Sequence, residues 1–365
     1  MEKARIGIIG LGNQGSMYLK KLFNKGKIPN GEVTAVCDIN PDKIKALEGE
    51  LHGAKAFADY KDLLASGLTD GVIVAVPHYQ HPEISIAAME AGINVLCEKP
   101  AGVYTKQVKE MNAAAAKSDK LFAIMFNQRT NCVYRKMREM IACGAIGNIK
   151  RVNWIITNWY RSQSYYDSSS WRATWKGEGG GVLVNQAPHQ LDLLLWYMGD
   201  VDEVYGVWKN LNHPYIEVED TAVAVVKFKS GAVGNIVVSN SQNPALYGKV
   251  HVFGENGAGV GVQTDGGAMF IAGMSTITEP PYNDLWTVEG EADDLEDWKK
   301  GDCDFFNSVD SMYYYHQEQI KDFLHAVETH TKPLVDARDG RKTVELFEAI
   351  YRSTQTNSVV KFPIR

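Results

Sequence analysis

Short, almost wholly apolar runs recur through the first third of the chain: Ile6-Gly7-Ile8-Ile9, Val33-Thr34-Ala35-Val36-Cys37, Gly71 to Val76, Asn94 to Cys97 and Leu121 to Met125. Each is too short for a helix and lacks in–out alternation, so each reads as a strand buried on both faces of a parallel sheet. Helical stretches lie between them at βαβ spacing, among them Ser16 to Phe23 and the segment with Ala87, Ala88 and Met89. Near residue 125 the pattern changes. One amphipathic helix carries Val133, Met137, Met140 and Ile141 on one side and ends at Gly144. Beyond it the strands alternate, as at Val152, Trp154 and Ile156. Thr221 to Phe228 and Ala232 to Ser239 flank the turn Ser230-Gly231, while Lys249 to Phe253 and Ala258 to Val262 flank Glu255-Asn256-Gly257. Residues 284–304, with Asp293-Asp294, Glu296-Asp297 and Lys299-Lys300, read as a solvated loop, followed by helices over Gln317 to His330 and Gly340 to Thr354. The expectation is an α/β chain: a parallel-sheet domain over 1–125 and an α+β domain over 126–365, the C-terminal helices packing back on the first domain.

Composition narrows the class. The 365 residues, 45% hydrophobic, suffice for two full cores. A net charge of −6 and a pI near 5.9 speak against nucleic acid as a partner. No stretch of about 18 uninterrupted apolar residues offers a membrane span. Five scattered cysteines, Cys37, Cys97, Cys132, Cys143 and Cys303, show no metal-type pairing and suit a reducing compartment. Met1 to Arg5 enters a strand directly, with no room for a signal peptide. A soluble, cytoplasmic protein without a metal is expected.

Two stretches carry chemistry. Gly10-Leu11-Gly12-Asn13-Gln14-Gly15 follows the first strand and opens a helix, the glycine pattern that lets backbone approach a pyrophosphate at a helix N-terminus. Glycine clusters also make ordinary turns, but a second strand ends in Asp38 roughly 20 residues on, as that fingerprint asks. A carboxylate there accepts from both adenosine ribose hydroxyls and repels a 2′-phosphate, and Ile39 brings no arginine, so NAD is favoured over NADP. The plainer reading, that Asp38 caps a turn before Pro41, stays open. Val76-Pro77 ends one strand, and Glu98-Lys99-Pro100 follows another; a lysine at such a strand end sits at the sheet rim where ligands bind in open α/β folds.

The second stretch is Gly179-Gly180-Gly181, followed by Asn185, Gln186, His189 and Asp192 and a leucine-rich helix ending at Gly199. Asn185 and His189, four apart, share a helix face, after a glycine run where backbone passes close to a ligand. Between the two stretches, Asn158-Trp159-Tyr160-Arg161, Tyr165-Tyr166, Trp171-Arg172 and Trp175 offer aromatic faces for sugar C–H groups and polar groups for hydroxyls, or else form a bulky packing loop.

These motifs, in this order and over the whole length, resemble the Gfo/Idh/MocA oxidoreductases, named after glucose–fructose oxidoreductase and inositol dehydrogenase. His81 and the C-terminal Asp339-Gly340-Arg341-Lys342-Thr343 and Ala349-Ile350-Tyr351-Arg352-Ser353 belong to the resemblance. It implies an N-terminal Rossmann domain and an α+β domain with a large, open-faced, mostly antiparallel sheet that serves as a homo-oligomer interface. It implies catalysis by Lys99 and His189 at the nicotinamide and often a cis Lys-Pro peptide. Family members commonly carry aspartate where this chain has Asn185, which can only orient by hydrogen bonds. NAD contacts are expected from Gly10, Gly12, Asn13, Gln14, Gly15, Asp38, Pro77, His81, Glu98, Lys99, Asn127 and Arg172, and substrate contacts from Tyr160, Arg161, Trp171 and Trp175. The function implied is NAD-dependent oxidation of a sugar, glycoside or cyclitol hydroxyl, with C3 of a glycoside as one candidate position. His189, with an unperturbed pKa of about 6.5, would take the hydroxyl proton while Lys99 holds the oxygen. Relatives of two other kinds are the rivals: glycosidases that retain NAD and use transient oxidation, and non-catalytic dinucleotide-sensing regulators.

Overall fold

The computed structural model describes residues 3–242, 248–264, 269–271, 274–276, 280–291 and 294–364. The chain forms two units, Met1–Asn127 with Tyr313–Val344, and Gln128–Met312 with Glu345–Arg365.

In the first unit six strands, β1 (Ala4–Ile9), β2 (Gly31–Cys37), β3 (Lys55–Phe57), β4 (Gly71–Val74), β5 (Asn94–Cys97) and β6 (Phe122–Ile124), form one parallel sheet in the order β3-β2-β1-β4-β5-β6. This is the doubly wound dinucleotide-binding order, with its switch point between β1 and β4. The strands are short and apolar because helices bury both faces, and β4 is buried at every position. Ile6, Ile8, Ile73 and Leu96 share their core cluster with Ile320, Phe323 and Leu324 from the helix Tyr314–Thr329. That packing brings residues distant in sequence into the first unit. The glycine-loop helix starts at Asn13, earlier than its apolar residues suggest, and continues past Met17 as a π-helical turn over Tyr18–Phe23.

The second unit holds a mixed sheet built from β7 (Ile149–Ile156), β8 (Val201–Lys209), β9 (Thr221–Phe228), β10 (Val233–Ser239), β11 (Gly248–Gly254) and β12 (Gly259–Thr264). Short strands β13 (Met269–Ile271) and β14 (Met274–Thr276) pair separately, and β15 (Pro281–Trp286) and β16 (Val360–Lys361) complete the order β15-β12-β11-β7-β10-β9-β8-β16. All neighbours are antiparallel except β7 and β10. Strand β9 alternates strictly, with Ala222, Ala224, Val226 and Phe228 buried and Val223 and Val225 exposed.

The expected loop over 284–304 is corrected. Strand β15 extends to Trp286 and a helix occupies Leu295–Ser308, while Asp293 lies outside the described residues. The charges conceal an amphipathic helix. Phe306 is buried, Trp298 packs edge-on against Trp286 at 5.2 Å, and Lys300 pairs with Asp304 one turn on. The two C-terminal helices, Tyr314–Thr329 and Ala337–Thr356, each begin three residues before their expected starts at Gln317 and Gly340.

Candidate active site

The loop after β1 has the shape its glycines require. Gly10 has φ 95°, and a side chain there would strike the Ala75 carbonyl beyond β4. A side chain at Gly15 would strike the Gly10 carbonyl, so the helix can only start this close to the strand with glycine. At Gly12 a Cβ would meet no protein atom within 4 Å. This residue is the extended N-cap of the helix and gives no side-chain cap, so the first backbone N–H groups, of Asn13 and Gln14, are left as donors of the kind that suit a phosphate. Asp38 is buried, and its carboxylate accepts from Leu11 N at 2.8 Å and Asn40 N at 2.9 Å. Both readings of Asp38 therefore hold in geometry. It braces the turn before Pro41 and the glycine loop, and a carboxylate has about four acceptor positions, enough to serve ribose hydroxyls as well. Lys43, not singled out from sequence, lies 3.3 Å from it. These residues fit a dinucleotide.

At the other strand ends the structure separates positioning from contact. His81 is 1% exposed; its Nδ1 lies 2.6 Å from the Pro100 carbonyl and its Nε2 2.7 Å from the Val76 carbonyl. Burial pushes the imidazole below its usual pKa, with the two carbonyls opposing. His81 thus ties the end of β4, and exposed Pro77 beside it, to the cis Lys99-Pro100 peptide, a role of support behind the expected NAD surface. Glu98 is buried too; it accepts from the Tyr18 hydroxyl and, at 3.1 Å, from Lys99 N, and burial raises its pKa. The half-buried Lys99 therefore leaves the sheet rim from a peptide braced on both sides.

A further group was missed from sequence. His316 of the helix Tyr314–Thr329 lies 3.1 Å from Gln14 Nε2 and 3.0 Å from Asn127 Nδ2, with its ring against Tyr18. It links the glycine loop to the end of the sheet. Gln14 and Tyr18 share a helix face, a signal that could have drawn attention to Tyr18, but nothing local marks His316, about 300 residues further on.

In the second unit the triple glycine is filled by protein. Gly179 and Gly180 have φ 87° and 156°, and side chains at Gly180 and Gly181 would strike the Tyr351 hydroxyl and the Glu219 backbone carbonyl. Fully buried Glu219 accepts from Gly181 N (3.0 Å), Leu183 N (2.9 Å) and the Tyr351 hydroxyl (2.8 Å), and burial raises its pKa to about 7. Backbone passes close here to a carboxylate of the chain itself, which corrects the expectation of a ligand at Gly180 and Gly181. Pro188 opens the helix Pro188–Met198, so Asn185 sits in the preceding turn and not on the same helix face as His189. The Asn185 amide donates to the buried Glu178, and half-buried His189 is the second residue of the helix. Asp192 is not available for proton transfer, because Arg129 holds it in a buried bidentate pair at 2.7 and 2.8 Å.

Trp175 packs edge-on against Trp208 and Tyr351 at 5.4 Å, with its indole N–H on the Glu217 carbonyl. Arg161 and Arg172 both lie over the Tyr165 ring, at 5.2 and 4.6 Å, and Arg172 donates to its hydroxyl at 2.6 Å. Arg172 also lies 4.7 Å from the Trp171 ring, and Arg161 donates to the Tyr160 carbonyl. Tyr160, Arg161, Trp171 and Arg172 thus lie along one segment with the buried Tyr165, and partly buried Trp175 packs against the same cluster. No group of three or more metal-ligating side chains occurs among the described residues.

Comparison with known proteins decides the family. The model described as oxidoreductase family, NAD-binding Rossmann fold, matches residues 4–126, and the Gfo/Idh/MocA C-terminal domain matches residues 134–260. The chain belongs to the Gfo/Idh/MocA family. It is an NAD-binding oxidoreductase. Relatives of this Gfo/Idh/MocA protein include a myo-inositol 2-dehydrogenase of Thermotoga maritima, 26% identical over 98% of both chains. An inositol 2-dehydrogenase/D-chiro-inositol 3-dehydrogenase of Lactiplantibacillus plantarum is 28% identical over 62% of each. Among solved structures, the WlbA dehydrogenase of Bordetella pertussis, in complex with NADH and UDP-GlcNAcA, superposes with a TM-score of 0.83 over 100% of both chains at 28% identity.

Proposed function

We propose that this enzyme oxidises a ring hydroxyl of a sugar, glycoside or cyclitol, or reduces the matching ketone, with Lys99 and His189 dividing the work on the oxygen. What carries the reading is the full-length similarity to a myo-inositol 2-dehydrogenase, together with a braced lysine at the rim of the NAD-binding sheet. When bound, NAD supplies the hydride acceptor. The protein's own part is proton and charge handling. His189 takes the hydroxyl proton, Lys99 donates a hydrogen bond to the oxygen as negative charge grows on it, and Asn185 orients by hydrogen bond alone. Gly10, Gly12, Asn13, Gln14, Gly15, Asp38 and Asn127 hold the dinucleotide, and Arg172 is assigned to it as well. Tyr160, Arg161, Trp171 and Trp175 take the substrate ring, Trp175 packing against the cluster around Tyr165. Oxidation at C3 of a glycoside is the finer form of the proposal.

The same reading extends to the sheet of the second unit. Val223, Val225 and Val233 are exposed along β9 and β10, and Tyr205 and Val207 along β8, and a second copy of the chain would cover them. No helix among the described residues is long and apolar enough to cross a membrane, and with five free thiols a cytoplasmic setting is part of the proposal. A panel of cyclitols, sugars and glycosides, followed by NADH absorbance and by mass spectrometry of keto products, tests it. A keto product from one of them is expected. Net hydrolysis without keto product or NADH would favour an NAD-retaining glycosidase, and no turnover on any member would overturn the reading.

A further inference from the structure

Glu178 stands directly before the triple glycine and is 2% exposed. Its carboxylate accepts from two elements of the site at once: Ala173 N at 2.6 Å, and the side-chain amide of Asn185. Both partners are unusual. Ala173 follows Trp171-Arg172 and has φ 60°, a left-handed conformation that costs a residue with a Cβ about 1 kcal/mol or more. Asn185 sits in the turn before His189, its own N–H on the Gly181 carbonyl at 3.0 Å. One buried carboxylate therefore ties the Trp-Arg turn to the histidine's turn.

The chemistry of the contact fixes more than distance. An ionised carboxylate only accepts, so it selects the NH₂ side of the amide, which an isolated asparagine could turn either way. With Nδ2 on Glu178, the turn of the planar amide is fixed, and Oδ1 is its acceptor atom. An aspartate at 185 would instead set two carboxylates in contact, where both cannot remain ionised.

We propose that Glu178 is a positioning residue for the reaction, the acid half of an acid–amide pair that turns the Asn185 amide so that its Oδ1 serves as an acceptor for a substrate hydroxyl. The acid belongs at 178 and the amide at 185, and the pair works in either order but not as two acids. The substrate half of this statement rests on the polyhydroxylated ring proposed above; the pairing does not. Burial holds the hydroxyls of Tyr166 and Tyr351 well above the ordinary phenol range, and Glu178 adds to the rise of both.

The test is a charge swap with two readouts, comparing wild type, Asn185→Asp, Glu178→Gln and the double variant across pH 5–9 by thermal unfolding and by kcat and KM on the substrate the panel identifies. Asn185→Asp alone should melt lower at pH 8, regain stability as the pH falls and one acid of the pair takes a proton, and lose about a hundredfold in kcat. Glu178→Gln should raise KM, because its amide no longer dictates how Asn185 is turned. In the double variant the charge is restored with the order reversed, and both the melting temperature and most of kcat should return, with a flat pH profile. If Asn185→Asp fails to fold, rescue of folding in the double variant supports the pair. Losses that simply add in the double variant, or an Asn185→Asp protein with the melting curve and pH profile of wild type, would overturn it. Should no substrate be turned over by any form, the unfolding series still decides the pairing.

Discussion

Two glycine loops, one in each unit, look alike in sequence and do opposite things. At Gly10 to Gly15 the protein closes in on the first and last glycines and leaves the middle one beside empty space. At Gly180 and Gly181 the space is occupied by the Tyr351 hydroxyl and the Glu219 backbone, and the Glu219 carboxylate takes two of the loop's N–H groups. The first loop leaves open space beside its middle glycine, where the proposed dinucleotide would lie. The second uses its missing side chains to admit the protein itself. Glycine spacing alone cannot tell the two apart, because it reports that backbone is approached and not by what.

The largest test of this contrast is Gly181→Ala. Its Cβ would collide with Glu219 backbone, which has no rotamer by which to move away, so a loss above about 3 kcal/mol in unfolding free energy is expected from urea denaturation. A near-wild-type midpoint would mean that the loop has slack and that the contrast is false.

Glu219→Gln tests what holds the second loop. The Glu219 pKa is about 7 in the folded protein, above its ordinary 4.5. Its contribution to stability is therefore complete below pH 4.5, falls as the pH rises through 7, and is flat above that. The drop is about 3 kcal/mol. The difference in unfolding free energy between wild type and Glu219→Gln should follow that window, wild type losing ground to the variant as pH rises. A difference independent of pH would show that Glu219 binds its proton no more tightly in the folded protein than in the unfolded chain.

Gly12→Val is expected to have the smallest effect on the fold and a selective one on binding. With no protein atom within 4 Å of the added Cβ, the unfolding free energy without cofactor should stay within about 1 kcal/mol of wild type. NAD affinity by calorimetry should fall about a hundredfold, about 3 kcal/mol, because the valine takes the space of the phosphates. Unchanged affinity would remove the first loop from the dinucleotide site.

How much was legible follows from the distance over which each feature is set. The Rossmann strands and the loop after β1 are coded by neighbouring residues, so short apolar runs, glycine spacing and Asp38 were enough to find them. Misjudged features had a local signal outweighed by a remote one. Charge density hid the helix Leu295–Ser308, whose Trp298 finds its partner across a turn on β15. Pro188 moved the helix start past Asn185. His316 and Glu219 carried no signal, since their importance lies only in whom they meet.

From its own residues the chain determined which segments pair as parallel strands, where backbone must come close, and which cofactor chemistry the first unit suits, because backbone preference and apolar burial act over a few neighbours. Only the tertiary structure decided that Glu219 fills the second glycine turn, that Glu178 turns the Asn185 amide, and that Arg129 takes Asp192. A buried charge needs its partners in space, and their separation along the chain is invisible until the fold closes it.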